Sequence, residues 1–150
     1  MRVYLDNCCY NRPFDEQGEL RVIVETFAKL QIQSLMRAGR IEYVWSDILV
    51  LEVSHNPFGD RRERILDWID GAKVYVEATD DVVARGRQIE TLGVKPKDAL
   101  HLASAEKADC DWFFTTDKGI LKKIKRLGSL RVANPIEFAM EDDDDMPDPQ

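Results

Sequence analysis

Residues 96–121 read PKDALHLASAEKADCDWFFTTDKGIL. Pro96 stands where a first helical turn opens, a position that needs no backbone N–H, so a helix is expected from Lys97 to about Lys107. Trp112 to Thr115 is short, aromatic and β-branched, and reads as a strand. Asp117 follows it directly, and Lys118 to Leu127 reads as a basic helix. A strand with no polar alternation, set between two helices, is the pattern of a parallel sheet covered on both faces.

The alternation continues in both directions. Upstream, Val3-Tyr4-Leu5 is a first strand leading into a polar turn that contains Asn11-Arg12-Pro13. A helix follows from about Glu19 to Ala38, with Ile23, Phe27 and Leu30 at helical spacing and Gly39 as its stop. Ile41 to Trp45 is a second strand; Ser46 caps a helix through Leu49 and Glu52 that Asn56-Pro57 ends. Next come a helix over Asp60 to Asp70, a third strand at Lys73 to Val76, and a helix from Asp80 to Leu92 stopped by Gly93. Downstream, Leu130 to Val132 is a fifth strand and Pro135 opens a last helix. The expected fold class is α/β, a three-layer α/β/α sandwich.

The 150 residues fit one domain with a real core, expected over 1–140, followed by the tail EDDDDMPDPQ at 141–150. Apolar residues at 44% and charged residues at 33% exclude a disordered or membrane chain, and no apolar run approaches the ~20 residues of a span. The N-terminus MRVYLDN is too short and too charged for a signal peptide, and the odd set Cys8, Cys9 and Cys110 excludes a disulfide framework. A cytoplasmic location is expected. Six carboxylates of the net charge of −7 sit in the last ten residues, leaving 22 acids against 21 bases elsewhere. The tail reads as a solvated appendage, and the nearly neutral body leaves a polyanionic substrate open.

Open parallel sheets place their chemistry beyond the carboxyl ends of the strands, where the strand order reverses. Asp6 follows the first strand and Asp117 the fourth; Glu52 lies within LVLEVS and Asp98 in the first turn of PKDALHLASA. Each has a plain structural alternative: Asp6 as turn former, Asp98 as helix-dipole partner, Asp117 as N-cap. Glu52, flanked by Leu49, Val50, Leu51 and Val53, is harder to place without a partner. Two carboxylates about 5 Å apart at an effective dielectric near 20 repel by roughly 3 kcal/mol, so four together require protons or cations. Oxygen ligands favour Mg²⁺ or Mn²⁺ over zinc, and such ions suit phosphodiester hydrolysis.

LDNCCYNRPFD, the Glu within LVLEVS, DALHLASA and FFTTDKGILKK resemble the acidic motifs of PIN-domain nucleases, over nearly the whole chain from Val3 to about Phe138. The N-terminal motif most resembles the branch classed with VapC-type toxins of toxin–antitoxin pairs. The resemblance implies a PIN-like, Rossmann-like five-stranded parallel sheet of order 3-2-1-4-5. It implies an Mg²⁺- or Mn²⁺-dependent endoribonuclease, a homodimer, and an antitoxin protein as partner. Asp6, Asp98 and Asp117 would bind metal, and Glu52 would complete the catalytic set as a ligand or by orienting water. Thr115 would hold the acidic loop through its hydroxyl, and Asn7 would support it with its amide. Arg12, Lys118 and Lys122 are the candidate RNA contacts, with Arg61, Arg62 and Arg64 a second basic cluster.

Other classes are weaker. Glu52/His55 and Asp98/His101 repeat the acid-then-His spacing of di-iron bundles, but strand–helix alternation is wrong for a bundle. That leaves His101 as a packed or surface residue. Neither GxxxxGK[ST] nor GxGxxG occurs, and position 8 is Cys where an Asp-nucleophile phosphatase needs a second Asp. Cys8 and Cys9 read as structural. The remaining alternative is a catalytically silent PIN-like RNA-binding or protein-interaction module.

Overall fold

Val3, Tyr4 and Leu5 have no solvent exposure, and neither do Phe113 and Phe114 on the strand beside them. Strands buried on both faces have to be central, and these two form the middle of the sheet. This computed structural model describes residues 1–11 and 18–139. In chain order the elements are β1 (Arg2–Leu5), α1 (Asn7–Asn11), α2 (Leu20–Arg37), β2 (Glu42–Ser46), α3 (Asp47–Ser54) and α4 (Gly59–Leu66). A 3-10 helix (Asp67–Gly71), β3 (Val74–Val76), α5 (Asp80–Glu90), α6 (Pro96–Lys107) and β4 (Trp112–Phe114) follow. The chain continues with α7 (Lys118–Leu121), β5 (Arg126–Leu127), β6 (Leu130–Ala133) and α8 (Pro135–Ala139).

The sheet order is β3-β2-β1-β4-β6-β5. The first five strands of that order are parallel and match the expected 3-2-1-4-5, with Leu130–Ala133 as the fifth parallel strand. The sixth, β5, is an antiparallel edge strand that the sequence reading missed. It displaces most of the expected basic helix, of which only Lys118–Leu121 is helical. A two-residue turn causes this: Gly128, at φ 58°, and Ser129 join Leu127 to Leu130 as paired strand residues. The expected polar turn after β1 is likewise a short helix as far as Asn11, while Arg12 and Pro13 lie outside the described residues.

Side chains sort the two helical layers. Tyr4 stacks on Phe113 with centroids 5.3 Å apart and meets His101 of α6 edge-on. Trp112 and Phe114 point to the opposite face and pack against Phe138 of α8, which lies beside α2. On α6 the small residues Ala99, Ala103 and Ala105 are buried and let it approach α5, where a Cβ on Gly86 would come within 3.2 Å of Leu100.

α2 corrects a second expectation. Its Phe27 is 71% exposed and Leu30 47%, so two of the three stripe residues read from the sequence point outward together with Leu20 and Val24, and Ile23 is half-buried. The inner face is Glu25, Ala28, Lys29, Ile32, Gln33 and Met36. Apolar residues occur on two sides of this helix, and periodicity alone does not say which one meets the sheet. No described helix is long and apolar enough to cross a membrane.

Candidate active site

The register of the sheet builds the site. Leu5 pairs with Phe114, so the residues that follow them, Asp6 and Thr115, emerge side by side at the carboxyl edge. The Asp6 N–H bonds the Phe114 carbonyl at 2.9 Å, and the Thr115 hydroxyl donates to Asp6 Oδ2 at 2.9 Å. Thr115 Oγ1 also accepts the Asp117 N–H at 3.1 Å, which ties the second strand-end acid to the first. Asp117 is at the same time the N-cap of α7: its Oδ1 accepts from the N–H groups of Gly119 and Ile120. The structural alternative for this residue is therefore realised at one of its two oxygens.

The helices supply the other acids. Ser46 caps α3 by accepting the Leu49 N–H, which starts the helix that carries Glu52 inward. Asp98 stands in the first turn of α6, and His101 one turn later on the same helix. His101 Nε2 lies 2.7 Å from Glu52 Oε1 and 3.7 Å from Asp6 Oδ1, while Asn7 donates its side-chain amide to Glu52 Oε2 at 3.3 Å.

Charge effects show how close the acids are. Burial pushes the Asp98 carboxyl up to about 6, and the charges of Asp6, Asp117 and Glu52 add to this while His101 opposes it. Burial works against ionisation of Glu52 too, but the hydrogen bond and charge of His101, with help from Asn7, outweigh it and leave Glu52 below the usual carboxylate range. Burial works against the His101 cation, and the acids around it more than compensate, raising its pKa.

The structure thus gathers Asp6, Glu52 and Asp98 around His101, attaches Asp117 through Thr115, and sets Asn7 on Glu52. Arg12 lies outside the described residues. Lys118 is exposed beside Asp117 at a cleft of about 420 Å³ that Arg21 also lines, and Lys122 is exposed in the turn after α7. Of the second basic cluster, Arg61 covers the Phe58 ring and Arg62 donates to the Asn56 carbonyl. His101, read from the sequence as a packed or surface residue, is fully buried at the centre of the acids; its spacing from Asp98 was the one available signal. Cys9 is buried, whereas Cys8 packs on the site itself, its Sγ 3.5 Å from Asp6 Oδ2 and 3.4 Å from Thr115 Oγ1.

Comparison with known proteins identifies the fold. A family model described as PIN domain matches residues 15–127. The chain belongs to the PIN domain family. The match starts beyond β1 and Asp6 and stops before β6, so two strands of the sheet and one of the four gathered acids lie outside it. No curated protein matches the sequence. Among solved structures the PIN fold is shared with FitAcB from Neisseria gonorrhoeae, at 17% identity and a TM-score of 0.56, covering 89% of this chain and 97% of that one. It is shared also with VapBC2 from Rickettsia felis, solved bound to a DNA fragment from their promoter, at 14% identity and a TM-score of 0.59, covering 89% and 98%.

Among the described residues, no group of three or more His, Cys, Asp or Glu is placed to hold a metal ion by itself. The donor chemistry nevertheless fits a hard divalent cation. The donors are carboxylate oxygens under mutual repulsion, and Asp98 accepts no hydrogen bond among the described residues. Magnesium keeps several waters and takes one or two carboxylates, so a closed protein cage is not required.

Proposed function

We propose that this PIN domain is a divalent-metal-dependent endoribonuclease. The observation that carries the reading is the convergence of Asp6, Glu52, Asp98 and Asp117 at the carboxyl edge of the sheet, with the Asp98 carboxyl pushed up to about 6 by burial and its acidic neighbours. A site of mutually repelling carboxylates has little use unless cations and an anionic substrate meet there. Asp6, Asp98 and Asp117 would hold Mg²⁺ or Mn²⁺. When bound, such an ion polarises the phosphate, acidifies water and neutralises the leaving oxygen. Glu52, kept ionised by His101 and Asn7, orients the attacking water. Hydrolysis breaks the P–O3′ bond and leaves a 5′-phosphate and a 3′-hydroxyl. Lys118 and Lys122, together with Arg12, would contact flanking phosphates.

The family resemblance extends the proposal to a toxin role, with an antitoxin as protein partner and a homodimer as the assembly. Support for a protein partner comes from the uncovered apolar face of α2, formed by Leu20, Val24, Phe27 and Leu30. A silent RNA- or protein-binding module is the second reading, favoured by Asp117 spending one oxygen as an N-cap.

The test incubates purified protein with structured RNA in Mn²⁺, Mg²⁺ or EDTA, beside Asp98→Asn. The expected result is cleavage in metal that disappears with EDTA and in the variant. RNA binding without cleavage, unchanged in Asp98→Asn, establishes the module instead.

A further inference from the structure

Behind the acids runs a line of buried polar side chains, of which the ribonuclease reading uses only the end at His101 and Glu52. Ser46 Oγ lies 2.6 Å from the Tyr4 hydroxyl, and that hydroxyl lies 2.6 Å from His101 Nδ1. On the far side of the ring, His101 Nε2 reaches Glu52 Oε1 at 2.7 Å. Ser46, Tyr4 and His101 are all without solvent exposure. They come from β2, β1 and α6, so three separate elements are braced together immediately below the acids.

The protons along this line can be ordered from its ends. Glu52 is ionised and can only accept, so His101 Nε2 must carry a proton; a bare Nε2 would set lone pair against lone pair. Burial drives the Tyr4 phenol far above its ordinary value, so it keeps its proton as well. Ser46 Oγ accepts the Leu49 N–H and has its own proton left for Tyr4, and the Tyr4 proton then serves His101 Nδ1. If the ring carries both protons, the Tyr4 and Ser46 hydroxyls turn around and the line still closes. Donation to Glu52 is the same in both arrangements. With Asn7 on Oε2, both oxygens of Glu52 have a donor, as do both of Asp6, from the Asn7 N–H and the Thr115 hydroxyl, whereas Asp98 has none among the described residues.

We propose that His101 is the positioning residue of this site: braced by Tyr4 and Ser46, it fixes the Glu52 carboxylate beside Asp6, where Glu52 directs the attacking water. This rests on the ribonuclease reading above. Outer hydrogen-bond partners of this kind are worth about 10–100-fold when removed.

The experiment compares wild type with His101→Leu, His101→Gln, Tyr4→Phe and Glu52→Gln, after thermal melts establish which are folded. In single-turnover cleavage, His101→Leu should lower kcat by about 10–100-fold with KM for RNA unchanged. His101→Gln, which keeps an N–H donor, should recover part of the loss, and Tyr4→Phe should fall between wild type and His101→Leu. Mn²⁺ affinity measured without RNA should stay at the wild-type value in the His101 and Tyr4 variants. Adding His101→Leu to Glu52→Gln should cost nothing further, because both remove the same function. A folded His101→Leu with wild-type kcat, independent losses in the double variant, or Mn²⁺ affinity falling in step with kcat each overturns the proposal. If His101→Leu does not fold, Tyr4→Phe and His101→Gln carry the same comparison. If wild type cleaves nothing, the ribonuclease reading fails separately, and long-range ¹H–¹⁵N spectra of the imidazoles decide about His101. With only two histidines in the chain the signals assign directly. A proton on Nε2, displaced by Glu52→Gln, supports the bracing, and a ring protonated on Nδ1 alone refutes it.

Discussion

Two regions of this molecule bury polar side chains, and they solve the problem in opposite ways. At the acid corner, Ser46, Tyr4, His101 and Glu52 form one line of directional hydrogen bonds and Thr115 bonds Asp6 beside it, all at 2.6–2.9 Å. Under the inner face of α2, Glu25 finds Asn134 at 2.6 Å, but Lys29 Nζ, Tyr10 Oη and Trp45 Nε1 have no hydrogen-bond partner among the described residues. Lys29 rests instead 4.1 Å from the centre of the Tyr10 ring. A desolvated cation–π contact contributes about 2 kcal/mol, which does not offset burial of an ammonium. Burial accordingly brings the Lys29 pKa down to about 7. Bonds with fixed direction set the position of charges where chemistry needs it; the α2 face needs only to be filled.

The largest expected effect belongs to the corner. Asp98→Asn should reduce metal-dependent cleavage by about 10²–10³-fold, the scale for removing one preorganised charged group. The same variant should melt at a higher temperature in EDTA, since it relieves carboxylate repulsion; a lower melting temperature would mean that repulsion does not dominate there.

Lys29→Met tests the opposite region. At pH 6 it should stabilise the fold by about 1–4 kcal/mol, as when buried charges give way to apolar residues of similar volume. The sign follows from linkage. Between the folded pKa of about 7 and the ordinary 10.5, the unfolded chain holds a proton that the folded chain has lost, so wild-type stability rises with pH across that window and is lowest below it. Urea unfolding at pH 6 and pH 9.5 should show the gap between variant and wild type closing as pH rises.

A matched pair of tyrosines sharpens the contrast. Tyr4→Phe should cost about 1–3 kcal/mol, because it strands Ser46 and His101. Tyr10→Phe should stay within about 0.5 kcal/mol, because no hydrogen bond of standard geometry holds its hydroxyl. Equal costs in chemical denaturation would erase the distinction between the regions. The smallest effect is at the surface: Lys118→Ala should lessen the salt dependence of RNA binding by about one unit in the log–log slope without altering cleavage of bound RNA.

Much of the fold was legible because it depends on local signals. Pro96 at the start of α6, Ser46 at the start of α3, Gly93 at the end of the α5 region and the unbroken apolar strands all act over a few residues. The readings that failed concern which partner a segment finds. Phe27 and Leu30 have the right spacing for a core face, but the opposite side of α2 meets the sheet. Lys122 to Arg126 suits a helix, yet the Gly128-Ser129 turn delivers Arg126 and Leu127 to the sheet edge as β5. His101 shows the same limit within the site: its spacing from Asp98 was visible, its contact with Tyr4 and Glu52 was not.

The sequence by itself determined that strands alternate with helices, that acids follow the strand ends, and that no disulfide framework supports the fold. These follow from residue type and from spacing along a single element. Only the tertiary structure decided that Leu5 lies against Phe114, which sets Asp6 beside Thr115, and that α3 and α6 bring Glu52 and His101 within 2.7 Å. The pKa of a carboxyl and the proton on an imidazole depend on what lies across a few ångströms of space, and for Glu52 and His101 that neighbour is 49 residues away along the chain.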